Sequence, residues 1–342
     1  MTVSAVALDV MSGDKGPKPC ILAALQAVKR YDDLHIVLVG HQCVIQSVLK
    51  NYTSTHGSLF HRLTIEHADH VTDMSAPPLQ IIRSGQESSL WKAVQLVQQK
   101  KVCACVSAGN TGAYIAAGRC LLGMLPHIER PAIISQMPGM NRCAFMLDLG
   151  ANTTCSDYQL YQFAVLGSVY LAEVHGIRHP SIGLLNIGRE LNKGKQMIKN
   201  AYSLIKKNPN LNFSRYVEGH ELCTGVVDLI VCDGFSGNVA LKSIEGTARY
   251  IRRALVANKK RLIEKILFYM AMPWLRYRLT KLDPGLYNGA ALLGLQGILI
   301  KSHGAARTEH LLCAIEQARK EIKHNTLKHI TANISTAFLA EN

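Results

Sequence analysis

Apolar and polar residues follow a strand–helix–strand rhythm along much of the chain. An apolar run at Val3–Val10 predicts a first strand, and a polar Gly-Pro turn separates it from a helix at about Pro19–Lys29. A second strand is predicted at His35–Val39. The same rhythm predicts further strands at 102–106, 132–136, 143–148, 181–187, 213–217 and 227–232, and helices at 86–99, 111–122, 156–174, 193–206 and from Asn238 onward.

Strands that alternate with helices predict an α/β fold with a mainly parallel sheet and helices on both of its faces. A chain of 342 residues can form one large unit or two interlocked lobes, and length alone does not choose. No repeat, low-complexity segment or Pro/Gly/Ser-rich linker divides the sequence. We therefore expect a single α/β catalytic domain over residues 1–342, and the two-lobe form stays open.

Composition and charge narrow the class of protein. Apolar residues make up 48% of the chain and charged residues 18%, which favours a close-packed globular enzyme over a disordered chain. The formal charge of +14 predicts an anionic partner, such as an acidic protein, a phosphate compound or an anionic membrane. Nucleic acid is not expected, because no zinc finger, basic zipper or aromatic RNA-binding signature is present.

The N-terminal residues and the cysteines both favour a cytoplasmic protein. The N-terminal residues lack a basic stretch followed by a long apolar segment, so no signal peptide is predicted and the protein is expected to be cytoplasmic. The ten cysteines include no Cys-x-x-Cys pair. We expect reduced thiols, with Cys103 and Cys105 inside a buried strand.

Five polar, glycine-bearing loops follow predicted strands, where the chemistry of open α/β sheets is found. Glycine lets backbone N–H groups approach an anion closely, and a helix that starts after the loop adds the positive end of its dipole. We expect the five loops to point to one edge of the sheet. They are Asp9-Val-Met-Ser-Gly-Asp14, Ser107-Ala-Gly-Asn-Thr-Gly112, Asp148-Leu-Gly-Ala-Asn152, Asn186-Ile-Gly-Arg-Glu190 and Asp233-Gly-Phe-Ser-Gly-Asn238.

The loop Ser107–Gly112 fits an oxyanion or phosphate cradle, because it opens a predicted helix and supplies uncharged donors. Asp9, Asp14, Asp148 and Asp233 together could bind a hard cation. Aspartates at strand ends more often cap helices and accept hydrogen bonds from loop amides, and we favour that interpretation. No metal is therefore predicted.

Three other enzyme classes lack their motifs. No Gly-x-Gly-x-x-Gly follows the first strand, so a nicotinamide cofactor is not supported. Gly188–Lys195 superficially resembles a P-loop, but it has one residue too many between its glycines and Gln196 where Ser or Thr is needed. A serine hydrolase is not indicated either, because the Gly-x-Ser-x-Gly elbow is absent.

Taken together, seven blocks resemble the PlsX phosphate acyltransferases over about Val3–Ser302. The blocks are Asp9-Val-Met-Ser-Gly-Asp14, Ser107-Ala-Gly-Asn-Thr-Gly-Ala113, Leu147-Asp-Leu-Gly-Ala-Asn152, Gly183-Leu-Leu-Asn-Ile-Gly188, Cys232-Asp-Gly-Phe-Ser-Gly-Asn-Val239, Tyr287-Asn-Gly-Ala290 and Lys301-Ser-His-Gly304. The resemblance implies a three-layer, Rossmann-like α/β/α fold akin to isocitrate and isopropylmalate dehydrogenases and phosphate acetyltransferases. It also implies a homodimer that needs no cofactor.

The same resemblance implies the reaction and its setting. Acyl-acyl carrier protein and inorganic phosphate would give acyl phosphate for phosphatidic acid and phospholipid synthesis. The next user of that product would be a membrane glycerol-3-phosphate acyltransferase. The sequence departs from the family pattern in two loops. In the first loop Ser12 replaces a glycine and Lys15 replaces a histidine. In the loop after the Asn-Ile-Gly block, Arg189 stands where a small polar residue is common.

Attack of phosphate on a thioester needs a positioned nucleophile and donors for the developing oxyanion. We expect phosphate at the Ser107–Gly112 loop with help from Asn152 and Lys193, and the thioester oxygen near Asn238. Lys193, which matches the lysine after the Asn-Ile-Gly block, would offset negative charge or protonate the leaving thiolate. A solvated lysine is the open alternative, and His303 is a second acid–base candidate. The predicted substrate-binding residues are Asp9, Gly13, Asp14, Ser107, Gly109, Asn110, Thr111, Gly112, Asp148, Asn152, Asn186 and Asp233.

Two further functions stay open. A phosphate acetyltransferase-like enzyme that uses acyl-coenzyme A would share the fold and the phosphate site. An adenine pocket would favour coenzyme A, whereas a basic rim and an apolar tunnel would favour acyl carrier protein. A membrane-surface scaffold without turnover is suggested by the basic, apolar stretch near residue 270, but it would leave the polar loops without a purpose.

Residues 251–282 combine many cations with apolar side chains, and Pro273 predicts a bend between two helices. Phe268, Met270 and Trp274 cluster near that bend, which favours insertion into an anionic membrane surface. Packing of two amphipathic helices in a dimer interface is the open alternative. The apolar run is too short to span a bilayer, so we expect peripheral association with the inner face of the cell membrane.

Overall fold

The computed structural model describes residues 4–139, 142–256 and 284–338, and one eleven-stranded sheet extends through these ranges. The strands are β1 Ser4–Asp9, β2 Leu34–Gly40, β3 Leu63–His67, β4 Ala104–Ser107, β5 Ala132–Met137, β6 Ala144–Leu147, β7 Ser181–Leu185, β8 Asn212–Val217, β9 Leu229–Val231, β10 Ala290–Leu293 and β11 Ile298–Lys301. Their order across the sheet is β3-β2-β1-β4-β11-β10-β5-β6-β9-β7-β8.

Helices cover both faces of the sheet. They are α1 Pro17–Arg30, α2 Gln42–Lys50, α3 Thr53–His56, α4 Pro78–Ser84, α5 Ser89–Gln98, α6 Thr111–Leu122, α7 Asp157–His175, α8 Gln196–Lys207, α9 Gly234–Val256, α10 Thr308–Lys323 and α11 Thr326–Phe338, with 3₁₀ turns at Gly57–Arg62, Gly219–Glu221 and Pro284–Tyr287. One face packs against α1, α2, α7, α8, α10 and α11, and the other against α4, α5, α6 and α9. The predicted three-layer α/β/α fold is confirmed.

Burial explains why the strands are apolar at successive positions. Val6 and Leu8 belong to the core on one face and Ala7 to the core on the other, and all three are fully buried. The helix α7 is buried around most of its circumference, as its apolar sequence predicts. It begins with a capping box in which Ser156 and Gln159 satisfy each other's backbone amides.

The strand directions differ from the prediction of one shared edge. β3, β2, β1, β4 and β11 are parallel, but β11–β10, β10–β5 and β5–β6 are antiparallel pairs. β6, β9, β7 and β8 are again parallel to each other and run opposite to β1 and β4. The loops after β1, β4 and β11 therefore lie at one edge, the first edge, and those after β6, β7 and β9 at the second edge. The prediction of a single edge is wrong, because apolar runs do not encode strand direction.

Local boundaries differ in smaller ways. The helix predicted from Asn238 begins one turn earlier, at Gly234. Cys103 is exposed just before β4, so that of the pair Cys103 and Cys105 only Cys105 is buried. Residues 257–283, which include Phe268, Met270 and Trp274, lie outside the described residues. In the ranges that are described, no helix combines the length and apolar character needed to cross a membrane.

Candidate active site

Three loops interlock at the first edge. The amide of Asp14 donates to the carbonyl of Gly304 at 2.9 Å, and the amide of Ser302 donates to the carbonyl of Ser107 at 2.9 Å. Gly13 has a φ of +104°, and a Cβ at this position would lie 3.2 Å from the Gly304 oxygen. Glycine is thus required for this approach, and the loops after β1, β4 and β11 form one structure.

A buried carboxylate lies at the centre of the first edge. Asp9 is fully buried and accepts a 2.7 Å hydrogen bond from the hydroxyl of Ser107, which itself accepts from the amide of Gly109 at 3.0 Å. Within the described ranges, Asp9 Oδ1 and Ser12 Oγ are buried without a hydrogen-bond partner. Such orphaned atoms are rare in native proteins, so the first edge has polar capacity that an added molecule can use.

The loop before α6 uses most of its side chains to hold itself. Asn110 caps the helix by accepting from the amide of Ala113 at 3.0 Å, and its NH₂ group donates to the carbonyl of Met74 at 2.7 Å. Its amide and the Ser107 hydroxyl are therefore structural. Thr111–Gly112 are the first helical residues, and the leading amides of a helix have no partner within it. The positive end of the α6 dipole thus faces the first edge.

Lys301 places a cation beside this helix start. It ends β11 in register with Ser107 of β4. Burial lowers the pKa of its ammonium from 10.5 to about 8, with a further lowering by Lys242, while Asp9 and Asp14 favour the charged form. At neutral pH the group stays mostly charged, so the first edge combines a helix N-terminus with a half-buried ammonium.

His303 links this edge to α9. Its Nε2 lies 3.1 Å from Nζ of Lys242 and 3.8 Å from a carboxylate oxygen of Glu245. Its Nδ1 accepts from the amide of Ala305 at 3.0 Å, and its own amide donates to the side chain of Asn288 at 2.9 Å. Burial, followed by the charge of Lys242, lowers the pKa of His303. The ring is thereby kept neutral at pH 7. Because Nδ1 accepts from Ala305, the ring hydrogen lies on Nε2, and the ring can take a proton only on Nδ1, by giving up that bond.

The second edge is organised around Asp148. This buried carboxylate accepts from the amides of Ile133 at 3.0 Å, Ala151 at 2.9 Å and Asn152 at 2.8 Å. Burial raises its pKa, and the amide hydrogen bonds oppose the rise. The NH₂ group of Asn152 donates to Asp148 at 2.9 Å and to the carbonyl of Pro131 at 2.8 Å. Both N–H groups are engaged, so a phosphate contact by Asn152 would require these bonds to break.

Asp233 and Asn238 have different surroundings although they share a loop. Asp233 caps α9, because its carboxylate accepts from the amide of Ser236 at 2.8 Å and from its hydroxyl at 3.0 Å. Asn238 is exposed and faces Gly150, whose φ of +130° puts a hypothetical Cβ 3.5 Å from that of Asn238. Its amide can therefore meet a substrate beside the Asp148 loop.

Asn186 and Lys193 lie together in the loop between β7 and α8. The buried amide of Asn186 donates to the carbonyl of Lys193 at 3.2 Å. The Lys193 ammonium lies 3.2 Å from Glu190, and its side chain is 52% exposed. Arg189 is neutralised by Glu221 and Glu218. The loop therefore exposes Lys193 to solvent as a cation that is paired with Glu190, and it contributes little uncompensated charge.

One side of α9 connects the two edges. Asn238, Lys242 and Glu245 lie at i, i+4 and i+7, which puts them on the same side of a helix. Leu241 and Ile244 pack against the sheet core beside this stripe. Asn238 thus stands at the second edge, and one turn later Lys242 reaches His303 at the first.

The structure divides the predicted site residues between the two edges of the sheet. The Ser107–Gly112 loop and His303 lie at the first edge, whereas Asn152, Lys193 and Asn238 follow strands that end at the second edge. The strand reversal at β10, β5 and β6 is the cause. We call the space along the side of α9 that runs from Asn238 to Lys242 and His303 the cleft.

The comparisons with known proteins decide the family. The sequence model of the family described as "Fatty acid synthesis protein" matches residues 4–329. The phosphate acyltransferase of Nitrosococcus oceani is 42% identical over 330 residues, which cover 96% of this chain and 96% of that protein. That of Moritella marina is 43% identical over 331 residues, covering 96% and 97%. The chain belongs to the PlsX family of phosphate acyltransferases.

Solved structures agree on the fold of this PlsX family member. A phosphotransacetylase from Streptococcus pyogenes has a TM-score of 0.62 at 16% identity, covering 94% of each chain. A 4-hydroxythreonine-4-phosphate dehydrogenase from Klebsiella pneumoniae has a TM-score of 0.54 at 12% identity, covering 93% of this chain and 99% of its own. At such identities the likeness concerns the fold alone, and it matches the predicted resemblance in fold to phosphate acetyltransferases.

Two residues of this acyltransferase family site were missed by sequence reasoning. Lys301 lies in a block that was recognised, and a lysine that closes an apolar strand is a usable signal because lysine is seldom buried without a reason. Lys242 carries no such signal, since it is one of many cations in a basic helix and only the fold brings it to His303.

Proposed function

We propose that this protein transfers a fatty acyl group from acyl carrier protein to inorganic phosphate, with phosphate held at the first edge. The observation that carries the proposal is the combination of the α6 N-terminus, the half-buried cation of Lys301 and the buried hydroxyl of Ser12, which has no partner in the described residues. A small oxyanion uses exposed helix amides and a desolvated cation together. Membership of the phosphate acyltransferase family supports the same reaction.

The reaction needs no covalent enzyme intermediate. An oxygen of hydrogen phosphate attacks the thioester carbonyl carbon, and the carbon–sulfur bond breaks as the tetrahedral intermediate collapses. The Asn238 amide donates to the oxyanion, since it is exposed at the end of the cleft. His303 takes the phosphate proton on Nδ1, in exchange for its hydrogen bond from the Ala305 amide, and passes it to the thiolate, so that acyl phosphate and a free thiol leave.

Lys193 keeps a role in this proposal, but a peripheral one. Its ammonium is half exposed and paired with Glu190, so it meets the carrier or its prosthetic arm more readily than the bound phosphate. Lys242 instead supplies positive charge inside the cleft, 3.1 Å from His303.

The setting of the enzyme is part of the same proposal. The charge of +14 supports docking of an acidic acyl carrier protein, and the basic, apolar residues 251–282 support association with an anionic membrane surface. We propose a cytoplasmic, homodimeric enzyme with a single α/β domain that delivers labile acyl phosphate to a membrane glycerol-3-phosphate acyltransferase.

Trapping of the product tests the proposal. Purified protein is incubated with acyl-acyl carrier protein and phosphate, and acyl phosphate is captured by hydroxylamine as the hydroxamate. We expect hydroxamate in proportion to phosphate, and a much lower yield when acyl-coenzyme A of the same chain length replaces the carrier. Absence of hydroxamate from every donor contradicts the proposal, and a preference for coenzyme A contradicts the choice of donor.

A further inference from the structure

Four large apolar side chains are exposed at the second edge. Ile187 is 79% exposed, Phe235 64%, Leu191 63% and Val239 49%. We call these four residues the apolar rim. Exposed apolar side chains that are grouped, unlike single ones, mark a surface that another apolar molecule covers.

The fold explains why the rim is one group. β7 and β9 are adjacent and parallel, with Leu184 paired to Val231, so the residues that follow both strands leave the sheet side by side. Ile187 and Leu191 follow β7, and Phe235 and Val239 form the first turns of α9 after β9. Phe235 and Val239 are four residues apart and therefore share one side of the helix.

Candidate reactive groups lie within the rim. Asn238 immediately precedes Val239 in the exposed first turns of α9, and Lys193 follows Leu191 by two residues in the same loop. The rim therefore continues directly from the end of the cleft where the thioester oxygen is proposed to lie.

We infer that the apolar rim binds the fatty acyl chain of the donor just beyond the thioester, and that it sets the preference for chain length. This inference rests on the proposed function. A second copy of the chain fits the rim less well, because four side chains are too small an area for a stable dimer, whereas they suffice to cover part of one acyl chain.

The test compares donors of different chain length. Initial rates are measured with acyl-acyl carrier proteins of four and sixteen carbons for the wild type and for the double variant Phe235→Ala, Leu191→Ala. Because each buried methylene contributes a factor of about four, we expect the ratio of kcat/KM for the long over the short donor to fall about tenfold or more. Leu79→Ala is the matched control, since Leu79 is also 63% exposed but lies on α4, away from the second edge.

Two further measurements separate the outcomes. Phe235→Leu preserves an apolar side chain and should keep the wild-type ratio. An unchanged ratio in the double variant overturns the inference, and so does an equal fall in Leu79→Ala. Sedimentation that shows loss of a dimer with an unchanged ratio would assign the rim to a subunit interface instead. A wild type that makes no acyl phosphate from either donor fails the proposed function, whereas an active wild type with an unaltered variant ratio fails only the rim.

Discussion

Replacement of Lys301 by methionine should weaken phosphate binding without loss of stability. The side chain of methionine has a similar length but no charge, so the change deletes the cation beside the α6 helix start and little volume. A hydrogen bond to a charged group contributes about 1.5–3 kcal/mol, which corresponds to a roughly 10- to 150-fold weaker affinity for phosphate. The KM for phosphate should rise by that factor in Lys301→Met.

Whereas phosphate binding should weaken in Lys301→Met, the free energy of unfolding should not fall. The pKa of Lys301 falls from 10.5 in the unfolded chain to about 8 in the folded protein, which corresponds to about 3 kcal/mol at about 1.36 kcal/mol per unit. Between these two values the unfolded chain binds more protons, so the free energy of unfolding rises with pH across that window. The full penalty applies below about pH 8. At pH 7, Lys301→Met should therefore be as stable as the wild type or more stable.

Kinetics at varied phosphate concentration between about pH 6.5 and 9.5, together with urea unfolding at pH 7, measure both effects. In the wild type the KM for phosphate should rise as the pH passes about 8, where Lys301 loses its proton. Lys301→Arg, whose guanidinium stays charged, should lose this rise but keep part of the affinity. A Lys301→Met variant that retains the wild-type KM and its pH dependence would remove Lys301 from the phosphate site. A less stable variant with normal phosphate kinetics would show that its role is structural.

The other predictions concern the oxyanion, the carrier and the membrane. Asn238→Ala should lower kcat by about a hundredfold with an unchanged circular dichroism spectrum, whereas Lys193→Ala should mainly raise the KM for the carrier; near wild-type turnover in Asn238→Ala would refute its role. Added salt should lower kcat/KM for acyl-acyl carrier protein at saturating phosphate, and a flat salt dependence would exclude charge steering. The protein should cosediment with anionic but not neutral vesicles, and serine at Phe268 and Trp274 should abolish this; equal binding to both vesicle types would count against the segment.

Much of the architecture could be predicted because both faces of the sheet are buried. Continuous apolar runs such as the one around Val6 and Leu8 identify the central strands, and the polar loops after them identify the candidate cleft. The sequence blocks shared with the family predicted the function better than the hydrophobic periodicity did, because Lys301-Ser-His-Gly304 is one of those blocks. Boundaries such as the start of α9 at Gly234 depend on capping by Asp233, which the sequence only suggests.

The arrangement of the site could not be predicted because it depends on strand direction. The apolar pattern of short strands such as β5, β6 and β10 does not indicate whether they pair in parallel or antiparallel. Their antiparallel pairing puts the Asp148 loop at the opposite edge of the sheet from Ser107. The contact between Lys242 and His303 joins residues far apart in the chain and follows from the path of α9 alone.

The most direct test of the central claim is a crystal structure of the protein soaked in inorganic phosphate. We expect an ordered phosphate at the first edge, between the leading amides of α6 and the ammonium of Lys301, with Lys242 and His303 within reach. A phosphate bound instead at the second edge, on Asn152 and Lys193, would contradict it.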